Sequence, residues 1–202
     1  MNNPLAFIDF ETTGLSPEGG DRVIEVGIAV LDGGRIVDRY QSFINPGRRI
    51  PYEVVSLTGI DDSMVRNAPD AQRVMTDVVG FVGDMPLVAH NASFDKRFMD
   101  CELERIRLRR ANEFICSLRV ARRLYPSAMN HKLATLVRLT GVQPAEQYHR
   151  ALGDAEMTAG LWTRMVNDIR ERHGVNDVSL KLMRSLQTCR VNGAAEHLAK
   201  FA

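Results

Sequence analysis

An acid-x-acid pair closes an apolar strand near the start of the chain, and it constrains the fold more than any other stretch. It lies in Phe7-Ile8-Asp9-Phe10-Glu11-Thr12-Thr13-Gly14-Leu15. Leu5 to Phe10 reads as a short strand, apolar except at Asp9. Alternate side chains on a strand point the same way, about 7 Å apart at Cα. Asp9 and Glu11 therefore share one face at the strand's end, and Arg22 is the nearest basic residue in sequence. Two carboxylates beside an apolar strand, without a local basic partner, are costly to keep ionised. A divalent cation relieves that cost, because hard cations such as Mg²⁺ take oxygen ligands. Thr12-Thr13-Gly14 then turns the chain and offers N–H groups and hydroxyls where a phosphate fits. Taken alone, the stretch also reads as an edge strand with two solvated acids.

The 202 residues suit one α/β domain with a short appendage, and 45% hydrophobic content can fill a sizeable core. No apolar run approaches the roughly 18 residues that span a membrane. The strand at Leu5 leaves no room for a signal peptide. Cys101, Cys116 and Cys189 are far apart and lack metal-ligand spacing, which points to reduced thiols in a cytoplasmic protein. Net charge is only +1, but its distribution is uneven. Residues 1–95 carry 7 basic and 14 acidic side chains, whereas residues 96–138 carry 11 basic and 4 acidic. A basic segment in a near-neutral chain fits either an anionic polymer or ordinary solvated helix faces.

Val23 to Leu31 is a long apolar strand, Asp32-Gly33-Gly34 signals a hairpin turn, and Arg35 to Ile44 returns. Short helical turns follow around Glu53–Leu57 and after Asp61 and Ser63. A longer helix opens at Pro69-Asp70 with Val74, Val78, Phe81 and Val82 on one stripe. Pro86 to Ala89 is a buried strand, followed by a helix that Asn91 or Ser93 would cap. Glu113 to Ser117 is the fifth strand, with helices to Leu124, over Lys132–Leu139, and from Gly153 to about Arg172. A three-strand meander followed by alternating strands and helices predicts a mixed five-stranded α/β sheet flanked by helices. The expected division is a main domain over 1–173 and a helical tail over 174–202.

Two further constellations carry acids. In His90-Asn91-Ala92-Ser93-Phe94-Asp95, Asp95 sits in the first turn of the helix, where an acid also suits the helix dipole. In His149-Arg150-Ala151-Leu152-Gly153-Asp154, Asp154 begins the stripe Met157, Thr158, Leu161, Met165 and so points inward. Five residues separate His149 from Asp154, about 140° on a continuous helix, so His149 must reach over from the preceding loop. Asp9, Glu11, Asp95, Asp154 and His149 together match the needs of two-metal phosphodiester hydrolysis. Two Mg²⁺ or Mn²⁺ ions about 4 Å apart require several carboxylates. The histidine can take the proton of the attacking water.

These three stretches, in this order, resemble the DEDDh exonucleases, the DnaQ-like family that includes the proofreading epsilon subunit of bacterial replicative polymerase. The match covers roughly residues 4–170, and Leu57-Thr58-Gly59-Ile60 and Asn67-Ala68-Pro69 also look like family elements. The resemblance implies a ribonuclease H-like fold and 3′→5′ release of nucleoside 5′-monophosphates from single-stranded DNA ends, in proofreading or repair. By position, Asp9, Glu11 and Asp154 would hold the tighter of two ions. Asp9 would bridge to the second, Asp95 would act mainly through water, and His149 would be the general base. Thr12, Thr13, Gly14, Leu15, Leu57, Thr58, His90 and Asn91 fall on the substrate side.

Two positions depart from close relatives in the family. Thr58-Gly59-Ile60 stands where the epsilon subunit commonly has His-Gly-Ile, and Thr12 where oligoribonuclease-like members usually carry Met. Lys96, Arg97, Arg119, Arg122, Arg123 and Lys132 are candidate phosphate contacts. The tail carries the stripe Val178, Leu182, Met183, Leu186, which serves packing on its own domain, docking to a polymerase or other protein, or a homodimer. RNA is the alternative polymer, since no group that senses a 2′-OH is identifiable. A non-catalytic nucleic-acid-binding subunit is the alternative from another class.

Overall fold

The computed structural model describes residues 4–145 and 149–202. Its sheet comprises β1 (Leu5–Thr12), β2 (Val23–Asp32), β3 (Arg35–Phe43), β4 (Leu87–Ala89) and β5 (Phe114–Cys116), in the order β3-β2-β1-β4-β5. The first three strands form an antiparallel meander, and β4 and β5 add in parallel on the far side of β1. Gly33 and Gly34 make the hairpin possible. Asp32 pairs directly with Arg35, and the two-residue loop takes φ of 56° and 82°, the left-handed pair that matches strand twist.

Alternation along β1 divides the core. Even-numbered Ala6, Ile8 and Phe10 pack with Val74 and Val78 of α3 (Ala71–Val82) and with Phe98 and Met99 of α4 (Ser93–Arg105). Odd-numbered Leu5 and Phe7 face the long helix α7 (Ala151–His173), where Phe7 meets Trp162 edge-on at 6.0 Å. Asp9 and Glu11 continue that odd face toward the carboxyl end of β1. The start of α7 therefore lies opposite the two acids. Gly27, the cross-strand partner of Asp9, permits this approach, since a Cβ there would fall 2.1 Å from the Leu152 nitrogen.

Between β3 and α3 lie α1 (Tyr52–Thr58) and α2 (Asp62–Val65), the latter capped by the Asp61 carboxylate. Beyond β5 come α5 (Ser117–Leu124) and α6 (Leu133–Thr140). The tail forms α8 (Leu180–Leu186) and α9 (Ala194–Ala199). Val178, Leu182, Met183, Leu186 and Leu198 are buried in the same cluster as Trp162 and Ile169. Gln187 accepts the Cys116 N–H at 3.0 Å at the edge of β5, and Arg184 pairs with Glu113. The apolar stripe of the tail is thus consumed by the chain's own core. No helix among the described residues is long and apolar enough to cross a membrane.

Two local expectations need correction. Neither Asn91 nor Ser93 caps α4: Ala92 holds the cap position with no side-chain bond, because Asn91 turns into the left-handed region at φ 70°. The last long helix starts at Ala151 rather than Gly153, for a reason that lies in β2.

Candidate active site

Four acids and a histidine converge at the carboxyl ends of β1 and β4. Asp95 enters from the first turn of α4, is 2% exposed, and accepts the Phe10 N–H at 3.2 Å, tying the end of β1 to the helix. Asp154 enters from the first turn of α7, and its buried Oδ1 has no hydrogen-bond partner. His149 precedes α7 with φ 59° and lies exposed. One ligand atom each from Glu11, His149 and Asp154 falls within 4.8 Å of the others.

Burial raises the proton affinity of all four acids, and neighbouring carboxylates add to it at Asp9, Glu11 and Asp154. Burial pushes Asp9 well above the usual carboxylate range, and Asp95, Asp154, Glu11 and Glu25 add to the effect. Burial and then Asp154 push Glu11 up to about 8, while Arg150 pulls it slightly back. Asp95 rises to about 7 through burial, offset by its backbone hydrogen bonds. Asp154 rises to about 6 through burial, with His149 opposing. A crowd of hard oxygen donors, one of them an orphaned buried atom, fits a divalent cation.

This crowding has a consequence for stability. Glu11 goes from 4.5 in the unfolded chain to about 8 in the folded one, so the folded state binds more protons between those values. Stability in chelator should therefore fall as pH rises through that window. Thermal melts in EDTA are expected to show a midpoint roughly 5 °C or more higher at pH 5.5 than at pH 8. Glu11→Gln should shrink the difference. A midpoint equal or higher at pH 8 would contradict the electrostatic reading of the site.

The remaining residues fall into two groups. Leu15, 78% exposed, and Leu57, 59% exposed, present apolar side chains to solvent. Leu57 and Asn91 line a cleft of about 1140 Å³ that reaches His149 and Asp154 and is flanked by Arg122, Lys132 and Arg138. The second group is engaged within the protein. Thr12 donates its hydroxyl to the Gly14 carbonyl at 2.6 Å. Thr13 accepts the Arg22 N–H and donates to Asp21. Thr58 donates to the Val54 carbonyl and accepts the Ile60 N–H. His90 also borders the cleft, but both of its ring nitrogens are occupied. Burial lowers its pKa, and a neutral ring donates Nε2–H to the His131 carbonyl at 2.8 Å and takes the Ser117 hydroxyl at Nδ1. Of the basic segment, Arg97 pairs with Glu18 and Arg123 donates to the carbonyls of Arg119 and Cys189.

Two residues of the site escaped the sequence reading. Glu25 sits fully buried on β2 directly across from Glu11, and Arg150 binds it from beside His149. The available signal was an acid inside the otherwise apolar run Val23–Leu31, at a position whose alternation matches Asp9 and Glu11 once the strands pair.

Comparison with known proteins places the chain among exonucleases. The exonuclease (RNase_T) family model matches residues 6–162. The chain is 37% identical over 173 residues to the DNA polymerase III PolC-type of Halalkalibacterium halodurans, covering 85% of this chain and 12% of that protein. For the Bacillus subtilis protein of the same name the identity is 40% over 166 residues, covering 81% and 11%. The chain thus spans only about an eighth of these relatives. Exonuclease X in complex with 5′ overhanging duplex DNA superposes with TM-score 0.70 at 27% identity, covering 91% of this chain and 99% of that one. The nuclease domain of 3′hExo bound to rAMP, a DEDDh family member, shares the fold at TM-score 0.72 and 23% identity, covering 83% and 93%. The matched span and the PolC-type relatives lead to one assignment: the chain belongs to the exonuclease (RNase_T) family.

Proposed function

We propose that the chain is a metal-dependent 3′→5′ exonuclease that trims single-stranded DNA ends to nucleoside 5′-monophosphates, in proofreading or repair. The observation that carries this is the close approach of Glu11, His149 and Asp154, with Asp9 and Asp95 buried nearby, where His149 and Asp154 line a cleft with basic walls. Asp9, Glu11 and Asp154 would hold one Mg²⁺ or Mn²⁺, with Asp9 shared by a second ion and Asp95 acting through water. When bound, such ions would supply charge neutralisation at the scissile phosphate and would acidify the attacking water. His149, exposed beside Glu11 and Asp154, takes the proton from that water. Leu15 and Leu57 offer apolar surface to the terminal base, and Arg122, Lys132 and Arg138 give phosphate contacts along the strand.

The DNA assignment draws on the PolC-type DNA polymerase III relatives and on the DNA complex of exonuclease X. The same relatives support a polymerase as physical or functional partner. The three free cysteines support a reducing, cytoplasmic compartment.

A gel time course on matched 5′-labelled single-stranded DNA and RNA, with Mg²⁺, Mn²⁺ or EDTA, tests the reading. The expected result is a metal-dependent ladder shortening from the 3′ end, faster on DNA. A faster RNA ladder would reassign the substrate to RNA, and no ladder on either polymer would overturn the catalytic reading.

A further inference from the structure

We propose that Glu25 and Arg150 form a positioning pair that seats the start of α7 and thereby sets His149 and Asp154 for turnover, an inference that rests on the nuclease reading above. Glu25 is a fifth carboxylate on the face of Asp9 and Glu11, 0% exposed, so it resembles another metal ligand at first sight. Its oxygens are already filled. Arg150 Nη2 donates to Oε1 at 2.8 Å and Arg150 Nε to Oε2 at 3.1 Å. Gln41 Nε2 donates to Oε1 at 2.8 Å, and the Ala151 N–H donates to Oε2 at 3.1 Å. A carboxylate with four donors at hydrogen-bond distance is a tether, with no oxygen left for an ion.

What it tethers is the junction that delivers the catalytic groups. Arg150 occupies the cap position of α7 with extended φ and ψ of −126° and 120°, and has no side-chain cap bond of its own. Glu25 supplies the cap from β2 instead, satisfying the first helical N–H and placing negative charge at the helix's positive end. The guanidinium also stacks over Phe43, 5.1 Å from the ring centroid, so β2 and β3 both grip it. On one side of this anchor His149 holds φ 59°, a left-handed backbone that costs a non-glycine residue energy and persists only when its surroundings enforce it. On the other side, one turn on, lies Asp154. Gly27 completes the seat by letting the α7 backbone rest against β2. The pair therefore acts on the reaction through the placement of two other side chains and touches neither substrate nor ion.

Single-turnover cleavage of a 5′-labelled single-stranded DNA oligonucleotide, with enzyme in excess and saturating Mg²⁺, tests this. The rate constant so measured does not depend on how much of a preparation is folded. Glu25→Gln keeps the volume but sets an amide N–H₂ against donors, and Arg150→Lys keeps the cation near Glu11 but loses the two-pronged contact. Each is expected to slow cleavage tenfold or more, toward the 10²-fold that a misplacement of about 1 Å costs. The half-saturating enzyme concentration should stay within threefold of wild type, because the cleft's phosphate contacts lie elsewhere. The double variant should be no slower than the slower single one, since both break one tether. Rates within threefold of wild type, losses that multiply, or a change in half-saturation alone would each overturn the positioning role. An inactive wild-type chain would overturn the nuclease reading and this role with it, whereas an active wild type with unimpaired variants would overturn this role alone.

Discussion

Asp9→Ala is expected to abolish nuclease activity at every Mg²⁺ concentration, a loss on the order of 10⁴-fold or more. Asp9 lies among the other acids: burial, and then Asp95, Asp154, Glu11 and Glu25, raise its proton affinity. A carboxylate so placed is the one shared between two ions in the proposed reading, and removing it takes a ligand from both. Added metal compensates for a weakened single site by mass action, but not for the loss of a bridge. Titrating Mg²⁺ and Mn²⁺ over three decades distinguishes the two cases. Activity returning at high metal would assign Asp9 to one ion only. The same residue carries a stability cost, because a buried acid among acids favours its protonated form. Asp9→Asn should therefore melt at a higher temperature than wild type in EDTA at pH 8, and lose that advantage at pH 5.

Much of this arrangement can be read along the chain because its signals are local. The acid spacing in β1, the two-glycine hairpin, the stripe of α3 and the Gly141 stop after α6 each depend on neighbours within a turn or a strand. Their structural counterparts agree within a residue or two, and β1 runs on to Thr12 so that Glu11 lies within the strand. What could not be read locally depends on contacts across long separations. Glu25 caps a helix 126 residues later, which is why α7 starts two residues earlier than its apolar stripe suggests. Thr58, placed on the substrate side by the resemblance, is 7% exposed and bonded on both sides to its own helix end. The tail's stripe was visible, but the surface receiving it was not, since Trp162 and Ile169 come together with it only in three dimensions. Arg138 reads as one more charge on a helix, and only the fold places it beside the cleft.

His149→Ala is expected to lower turnover by about 10²- to 10⁴-fold while leaving oligonucleotide affinity nearly unchanged. The imidazole is the one neutral-capable base in the group, and it stands outside α7, exposed, with a ring nitrogen within 4.8 Å of the Glu11 and Asp154 oxygens. Truncating an exposed side chain away from the core leaves the fold in place. The acids and the basic cleft walls stay where they are, so the ground-state complex should survive. A second variant controls for backbone strain: His149→Asn keeps a residue that tolerates the left-handed φ of 59° but cannot accept a proton. If the ring acts as the base, both variants lose turnover to a similar extent. If the residue matters only for its backbone, His149→Asn stays active while His149→Ala does not. Steady-state kcat and KM on single-stranded DNA with Mg²⁺ decide between them. Turnover within tenfold of wild type in the Asn variant would remove His149 from the chemistry and leave the proton with solvent.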